Sequence, residues 1–281
     1  MTESESSPIA SRLDRAVGRT IFGADAGGYD SARLGYPGEL YDRVFARVPD
    51  NPAVLEIGAG TGLATRDLLA RGASSLVAIE PDPQMAEFLR SALGTDPALK
   101  IENRAFEDVA FGPSAFDLVA AAASFHWMEP TSALGRIRRA LKPGGVIALW
   151  WNVYRAAGEG DEFADSLAPL LDGIALPPSE GEKFHHSLDQ AAYRTLLESN
   201  GFADVECKIL RRERRLDGAA MSALYGSYSF VRLLPVKQRR ELLAGIARLA
   251  DGRFGGAAPN IVQTPLYTAC LASPASIAPG R

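Results

Sequence analysis

Between residues 53 and 151, short apolar runs of strand length alternate with stretches whose apolar residues recur at helical spacing. The runs predict strands over 53–58, 75–80, 99–103, 116–122 and 145–151. The periodic stretches predict helices over 62–71, 82–93 and 131–141, the last with Leu134, Ile137 and Leu141 on one face. This alternation is the pattern of an α/β fold with a doubly wound parallel sheet.

Flanking segments read differently. Residues 1–20 are expected to be largely disordered by composition. From Ile9 to Gly28 a short helix is interrupted by Gly18, Gly23, Gly27 and Gly28. Residues 21–45 form an N-terminal lid segment in which Pro37 opens a helix burying Leu40, Val44 and Phe45. The core domain spans 46–155. Residues 156–187 lack periodicity and hold Gly158, Gly160, Pro169, Pro177, Pro178 and Gly181, so a loop-rich insertion is expected. Over 188–215 a helix from Asp189 to Asn200 stops at Gly201, and a strand from Val205 to Leu210 runs into Arg211-Arg212-Glu213-Arg214-Arg215. Residues 216–260 form a helical cap with a helix from Val236 to Ala250 and Gly252 near its end. A final strand lies within 261–272, at Leu266 to Leu271, and 273–281 is a loose tail.

The first strand breaks into Gly58-Ala59-Gly60-Thr61-Gly62 before a helix opens at Leu63. Alternating glycines permit positive φ and close approach of the backbone to a ligand. The free N–H groups of the helix face the same turn. Leu63 stands where a dinucleotide fingerprint would place its third glycine. The next strand, Val77-Ala78-Ile79-Glu80, ends in an acid 20 positions after Gly60, near the offset at which a carboxylate holds ribose hydroxyls. A nucleoside-bearing cofactor is expected at the carboxyl ends of these two strands.

Five ordered segments resemble class I S-adenosylmethionine-dependent methyltransferases. Glu56 to Gly62 is similar to the first motif of that family and Glu80 to its second. Ala105-Phe106-Glu107-Asp108 resembles the adenine-binding turn, Phe116-Asp117-Leu118-Val119 the fourth strand, and Leu141-Lys142-Pro143-Gly144-Gly145 the turn before the fifth. Tyr29-x-x-x-Arg33-x-x-Tyr36-Pro37 and Ser124-Phe125-His126-Trp127 further resemble the small-molecule branch that includes trans-aconitate methyltransferase. The resemblance implies a Rossmann-like, mostly parallel seven-stranded sheet. Its last strand is antiparallel, inserted between the fifth and sixth, and helical segments cap it. The resemblance also implies S-adenosyl-L-methionine as methyl donor, S-adenosyl-L-homocysteine as product, and a small-molecule acceptor. The implied cofactor contacts are Tyr29, Arg33, Glu56, Gly58, Gly60, Gly62, Glu80, Pro81, Phe106, Glu107, Ala122 and Ser124. Arg33 suits a carboxylate, since two of its N–H groups meet two oxygens; taken alone it reads better as a surface arginine, and its spacing within the resemblance favours the cofactor role.

Composition narrows the partners. A hydrophobic fraction of 47% and a charged fraction of 23% are those of a globular chain, and a net charge of −4 over 281 residues gives no overall attraction to nucleic acid or anionic membrane. Two cysteines, Cys207 and Cys270, make no disulfide framework, which fits a cytoplasmic chain. The start lacks the basic and apolar regions of a signal peptide, and no apolar run approaches the ~20 residues of a membrane span. His185-His186 has no cysteine or carboxylate pair at zinc spacing, so no metal is expected. Adjacent histidines are usually exposed. The Arg136, Arg138 and Arg139 cluster reads as a solvated helix face before a nucleic-acid patch. The charges of 211–215 read as protection of a sheet edge before an RNA surface.

An activated methyl group needs chiefly a nucleophile held in line, and proximity can supply ~7–11 kcal/mol of the barrier. A carboxylate acceptor needs no base, whereas a hydroxyl would benefit from one. His126, at the ligand edge of the fourth strand and with an unperturbed pKa near ~6.5, is read first as lining or hydrogen-bonding the acceptor and second as the candidate catalytic base. Phe125, His126, Trp127, Trp151, Tyr154 and Tyr228 are the candidate acceptor contacts, and core packing accounts for the same aromatic residues equally well. Nucleic-acid amino-methyltransferases carry an Asn- or Asp-Pro-Pro-aromatic stretch after the fourth strand, where this chain has Ala123-Ser124-Phe125-His126-Trp127. A cofactor-binding protein without turnover and an RNA methyltransferase remain as alternatives, and the oligomeric state stays open.

Overall fold

The computed structural model describes residues 22–154, 161–174 and 185–272. The readings for 1–20 and 273–281, and part of that for 156–187, lie outside these residues. Seven strands, β1 (Ala53–Ile57), β2 (Ser75–Ile79), β3 (Leu99–Glu102), β4 (Phe116–Ala122), β5 (Leu141–Trp150), β6 (Phe202–Leu216) and β7 (Ala258–Leu271), form one sheet in the order β3-β2-β1-β4-β5-β7-β6. β1 pairs with β2 and β4 in parallel, as do β2 with β3 and β4 with β5. β7 is antiparallel to both β5 and β6. The helices are α1 (Ala26–Ala32), α2 (Gly38–Phe45), α3 (Thr65–Ala70), α4 (Pro83–Leu93), α5 (Pro130–Ala140), α6 (Glu162–Ser166), α7 (Ala168–Leu171), α8 (Gln190–Ser199), α9 (Gly218–Gly226), α10 (Ser229–Arg232) and α11 (Val236–Phe254).

The period-2 pleat sorts the strands' side chains between two layers. Val54, Leu118, Ala120, Val146, Ala148 and Trp150 pack against Leu40, Tyr41 and Val44 of α2 and Leu68 of α3. Leu55, Val119, Ile147 and Leu149 face the opposite way, onto Leu134 and Ile137 of α5 and Tyr193 and Leu197 of α8. A third cluster forms the cap. It joins Phe163 and Leu167, Met221, Leu224 and Tyr225 of α9, and Leu242 and Ile246 of α11 to Ala258 and Val262 at the start of β7.

Several boundaries moved. Gly27 and Gly28, expected to break a helix, lie inside α1, because the Asp25 carboxylate caps it by accepting from the Gly28 amide at 3.0 Å. The insertion expected to be loop carries α6 and α7, with Asp161 capping the Ala164 amide. The turn expected before β5 is a bulge inside it: Leu141 pairs with Phe116, Val146 with Leu118, and Gly144 takes φ 74° between them. α11 runs through Gly252 and stops at Gly255, which takes φ 61°. β6 and β7 are about twice as long as their apolar runs, since they pair with each other from Phe202–Leu271 to Leu216–Ala258. The charged run 211–215 therefore belongs to β6, the edge strand, with Arg211, Glu213 and Arg215 exposed and Arg212 and Arg214 half-buried.

Candidate active site

A cavity partly open to solvent lies at the carboxyl ends of β1, β2 and β4. Its floor is the glycine turn. Gly58, Gly60 and Gly62 take φ of 72°, 58° and 92°. The Gly58 and Ala59 amides donate to the Ile79 carbonyl at 2.8 and 2.9 Å, which locks the turn to the end of β2. The three glycines serve different ends. A Cβ on Gly58 would collide with Ser124, and one on Gly62 would stand 2.6 Å from Leu89 Cδ1, so both are required by packing. A Cβ on Gly60 would meet nothing within 4 Å, so this glycine presents bare backbone.

Glu80 sits beside that backbone, 5% exposed. The Gly60 amide donates to its Oε2 at 2.7 Å and the Asp82 amide to its Oε1 at 2.8 Å. Burial raises its carboxyl to about 7, against the lowering effect of the two amides. Glu56, on the α2–α3 side of β1, accepts from Thr65 Oγ1 at 2.6 Å, and burial raises it to about 8. Its Oε1 and Thr61 Oγ1 are buried without a hydrogen-bond partner. Two carboxyl groups are thus held ready to change charge when a polar ligand arrives.

The N-terminal segment closes one side. Phe22, Tyr29 and Tyr36 line the cavity, and Tyr36 stands edge-on to Trp150 with ring centroids 5.8 Å apart. Asp82 latches this segment. Its Oδ1 accepts from the Gln84 and Met85 amides and caps α4, while its Oδ2 accepts from the Gly23 amide at 3.0 Å. A Cβ on Gly23 would collide with that carboxylate. Gly23→Ala is therefore expected to break the latch at a cost of ~1 kcal/mol. Faster amide exchange across 22–32, with exchange in β1 and β4 unchanged, is the measurement; unchanged exchange at 22–32 would refute it.

Of the residues expected at the site, Tyr29, Gly58, Gly60, Glu80, Pro81, Phe106, Glu107, Ala122, Ser124 and Trp127 line the cavity. Ser124 donates its hydroxyl to the Ile57 carbonyl, which ties β4 to β1. Glu56 and Gly62 stand behind the turn. Phe125 is fully buried beneath the site, among Leu55, Val119 and Leu134, and does not reach the cavity. Trp151 is 2% exposed and packs on Tyr193 and Tyr267 instead of facing an acceptor. Tyr154 and Tyr228 belong to the cap cluster. Arg33 is enclosed by the rings of Tyr29, Tyr154 and Tyr228, at 5.2, 5.2 and 4.9 Å, and donates Nη2 to the Ser227 carbonyl. Cation–π contact with three rings, two of them from distant segments, holds it off the cavity wall.

His126 departs most from expectation. The Trp151 indole donates to its Nδ1 at 3.1 Å, so the neutral ring carries its proton on Nε2. Its ring lies 5.4 Å from that of His186, which lies 4.3 Å from His185, so the adjacent histidines are packed inward. Burial, then the neighbouring His185, lowers His126 to about 3; burial lowers His185 to about 4 and holds His186 well below the ordinary range. A ring neutral at pH 7, with its acceptor nitrogen occupied, is a poor general base.

Tyr36, Thr61, Met85 and Met128 line the cavity without having been singled out. Tyr36 was within reach, as it closes the Tyr29 motif; the methionines carry no local signal. Among the described residues, no group of three or more His, Cys, Asp or Glu is arranged to hold a metal ion, and no helix is long and apolar enough to cross a membrane.

Known proteins resemble this chain in sequence and fold. A methyltransferase domain family matches residues 55–149. An uncharacterized methyltransferase of Mycobacterium tuberculosis is 31% identical over 211 residues, covering 69% of this chain and 84% of the relative. An uncharacterized methyltransferase-like protein of Schizosaccharomyces pombe is 25% identical over 231 residues, 82% of this chain and 85% of the relative. Among solved structures, a chain described as a type II methyltransferase of Anaeromyxobacter dehalogenans superposes with a TM-score of 0.63 at 24% identity, over 86% of this chain and 99% of that one. A phosphoethanolamine N-methyltransferase of Haemonchus contortus, solved with S-adenosylhomocysteine, gives 0.56 at 14% identity, over 92% of this chain and 60% of that one, a likeness of fold. With the glycine turn, the acid directly after β2, the reversed seventh strand and these relatives, the chain belongs to the class I S-adenosylmethionine-dependent methyltransferases.

Proposed function

We propose that the cavity binds S-adenosyl-L-methionine along Gly58–Gly62 and Glu80, and that the chain methylates a small molecule admitted beside Tyr29, Tyr36 and Trp127. The observation that carries this is the bare face of Gly60 next to the Glu80 carboxylate, where backbone and acid meet a ligand together. The cofactor, when bound, supplies a methyl group already activated on a sulfonium sulfur. The chain's residues fit it. Glu80 has lone pairs for a ribose diol beyond the two amides it accepts. Thr61 Oγ1, in the cavity lining, is a buried hydroxyl without a partner and suits a polar group of the ligand. Met85, Met128 and Phe106 give an apolar slot for a flat base.

The remaining work is positioning. Tyr29, Tyr36 and Trp127 exclude water and orient the acceptor at the methyl end. With His126 neutral and hydrogen-bonded to Trp151, an acceptor that is already nucleophilic at neutral pH, such as a carboxylate oxygen, is favoured over a hydroxyl. Incubation of metabolite pools with radiolabelled donor tests the reading. Label in small products supports it, label only in RNA redirects it, and cofactor binding without any transfer points to a protein lacking turnover.

A corollary concerns rate. His126→Gln retains an acceptor for the Trp151 N–H and is expected to cost no more than about tenfold, ~1.4 kcal/mol. Loss of a true base would cost ~10²–10⁴-fold and remove a rising pH limb. Single-turnover rates of wild type and variant from pH 5.5 to 8.5 decide between them.

A further inference from the structure

Arg212 and Arg214 occupy alternate positions on β6, so both side chains turn to the same face of the sheet, towards the cap. There Arg212 and Arg214 approach Tyr154, whose ring Arg33 also contacts. Arg33 lies 5.2 Å and Arg214 6.0 Å from its ring centre. Arg212 donates to Asn152 Oδ1 at 3.1 Å, and the Asn152 amide in turn lies 3.5 Å from the Tyr154 hydroxyl.

These cations are incompletely matched. Arg212 donates otherwise to the Gly35 carbonyl, Arg214 to Asn260 Oδ1 and Arg33 to the Ser227 carbonyl, all neutral acceptors. Among the described residues, none of the three forms an ion pair with a carboxylate. By contrast, the outward-facing Arg211 and Arg215 both pair with Glu213. One N–H of each inward guanidinium is buried without an acceptor: Arg33 Nε, Arg212 Nε and Arg214 Nη2. A buried unmet donor is costly, more so on a charged group, and Arg212 and Arg214 repel each other. The cluster adjoins the cavity through Tyr29, which carries Arg33 on its ring, and through Gly35, next to Tyr36.

We infer that Arg33, Arg212 and Arg214 form an anion subsite that anchors an acidic group of the methyl acceptor, a carboxylate or a phosphate. The anchored group is not the methylated one. Charge-assisted bonds to guanidinium occupy the oxygen lone pairs that attack would need, and the arginines stand behind the tyrosine wall, off the cavity face. The acceptor thus has two parts, an acidic anchor and a separate nucleophile, and its product keeps the anchoring charge. This rests on the proposed cofactor site and deepens it.

The test uses the full chain saturated with S-adenosylhomocysteine. It is titrated with glutarate and separately with phenyl phosphate, at constant ionic strength, by calorimetry and thermal melting. At least one probe is expected to bind at about 10 mM, a concentration that fills even a millimolar site. Response to glutarate alone identifies a carboxylate anchor, and response to phenyl phosphate alone a phosphate. Arg212→Gln and Arg214→Gln should each weaken that probe by about tenfold or more, the loss of a charge-assisted contact, with affinity for S-adenosylhomocysteine unchanged. Arg214→Lys, which keeps the charge if a glutamine variant does not fold, should retain part of the binding. The inference is overturned if neither probe binds the wild type, or if the variants bind it equally. It is also overturned if the variants lose S-adenosylhomocysteine together with the probe, since the arginines would then serve the cofactor. A wild type that does not bind S-adenosylhomocysteine would instead overturn the proposed cofactor site.

Discussion

Glu80→Ala is expected to abolish most of the stabilisation that S-adenosylmethionine gives the fold. At about 100 times its dissociation constant, a ligand that binds only the native state adds ~2.7 kcal/mol. For a chain of this size that raises the melting temperature by ~5–10 °C. Under the proposed reading, Glu80 contributes two hydrogen bonds from a buried charged acceptor, each of ~1.5–3 kcal/mol. A loss of ~2.7 kcal/mol raises the dissociation constant about a hundredfold. The same cofactor concentration then equals that constant and adds only ~0.4 kcal/mol.

Because Glu80 also holds the Gly60 and Asp82 amides, the apo variant should itself be less stable, so the comparison is between shifts, not absolute temperatures. Glu80→Gln separates the two effects. It is isosteric and keeps one acceptor for an amide, so it should restore much of the apo stability and little of the cofactor shift. Melting curves of the three proteins with and without cofactor give the answer, and equal shifts in wild type and Glu80→Ala would remove Glu80 from the site.

The parts of this site that were legible in the sequence share one property: their signal is local. The turn of Gly58 to Gly62 needs its glycines within five residues, and the acid at the end of β2 follows from the strand before it. The positions whose surroundings were not legible depend on contacts between remote segments. The surroundings of His126 are Trp151, 25 positions away, and His186, 60 positions away. Arg33 is held by Tyr154 and Tyr228. A period and a motif cannot report which rings will close on a guanidinium across that much chain. β6 is an intermediate case. Alternation along 211–215 already separates Arg212 and Arg214 from the other three charges, but only pairing with β7 and the position of the cap show which set faces inward.

Acid should destabilise the fold through its three histidines before it titrates ordinary carboxylates. His126 and His185 are lowered to about 3 and about 4, and His186 well below its usual range, all chiefly by burial. In the unfolded chain each titrates near ~6.5. A lowered folded pKa gives stability that is present above the unfolded value and lost as pH falls towards the folded one. Near pH 5 the unfolded state would hold about two more protons at His126 and His185, a slope of ~2.5 kcal/mol per pH unit, and His186 adds to it in the same sense. Glu56 and Glu80 act in the opposite sense. Their folded values of about 8 and about 7 lie above the unfolded range, so their stability is complete below pH ~4 and is lost as pH rises through 7 to 8. Near pH 5 they offset rather more than one proton of the histidine effect, leaving a net decline with acid. A single variant isolates one ring. His126→Gln has no proton to take up, so its unfolding free energy should fall less steeply than that of the wild type between pH 6 and 5, by ~1.4 kcal/mol per pH unit. Urea unfolding at pH 7, 6, 5.5 and 5 measures both slopes. Parallel lines would mean that the His126 ring is protonated as readily in the folded chain as in the unfolded one, and the packed histidine cluster would then have to be open to water.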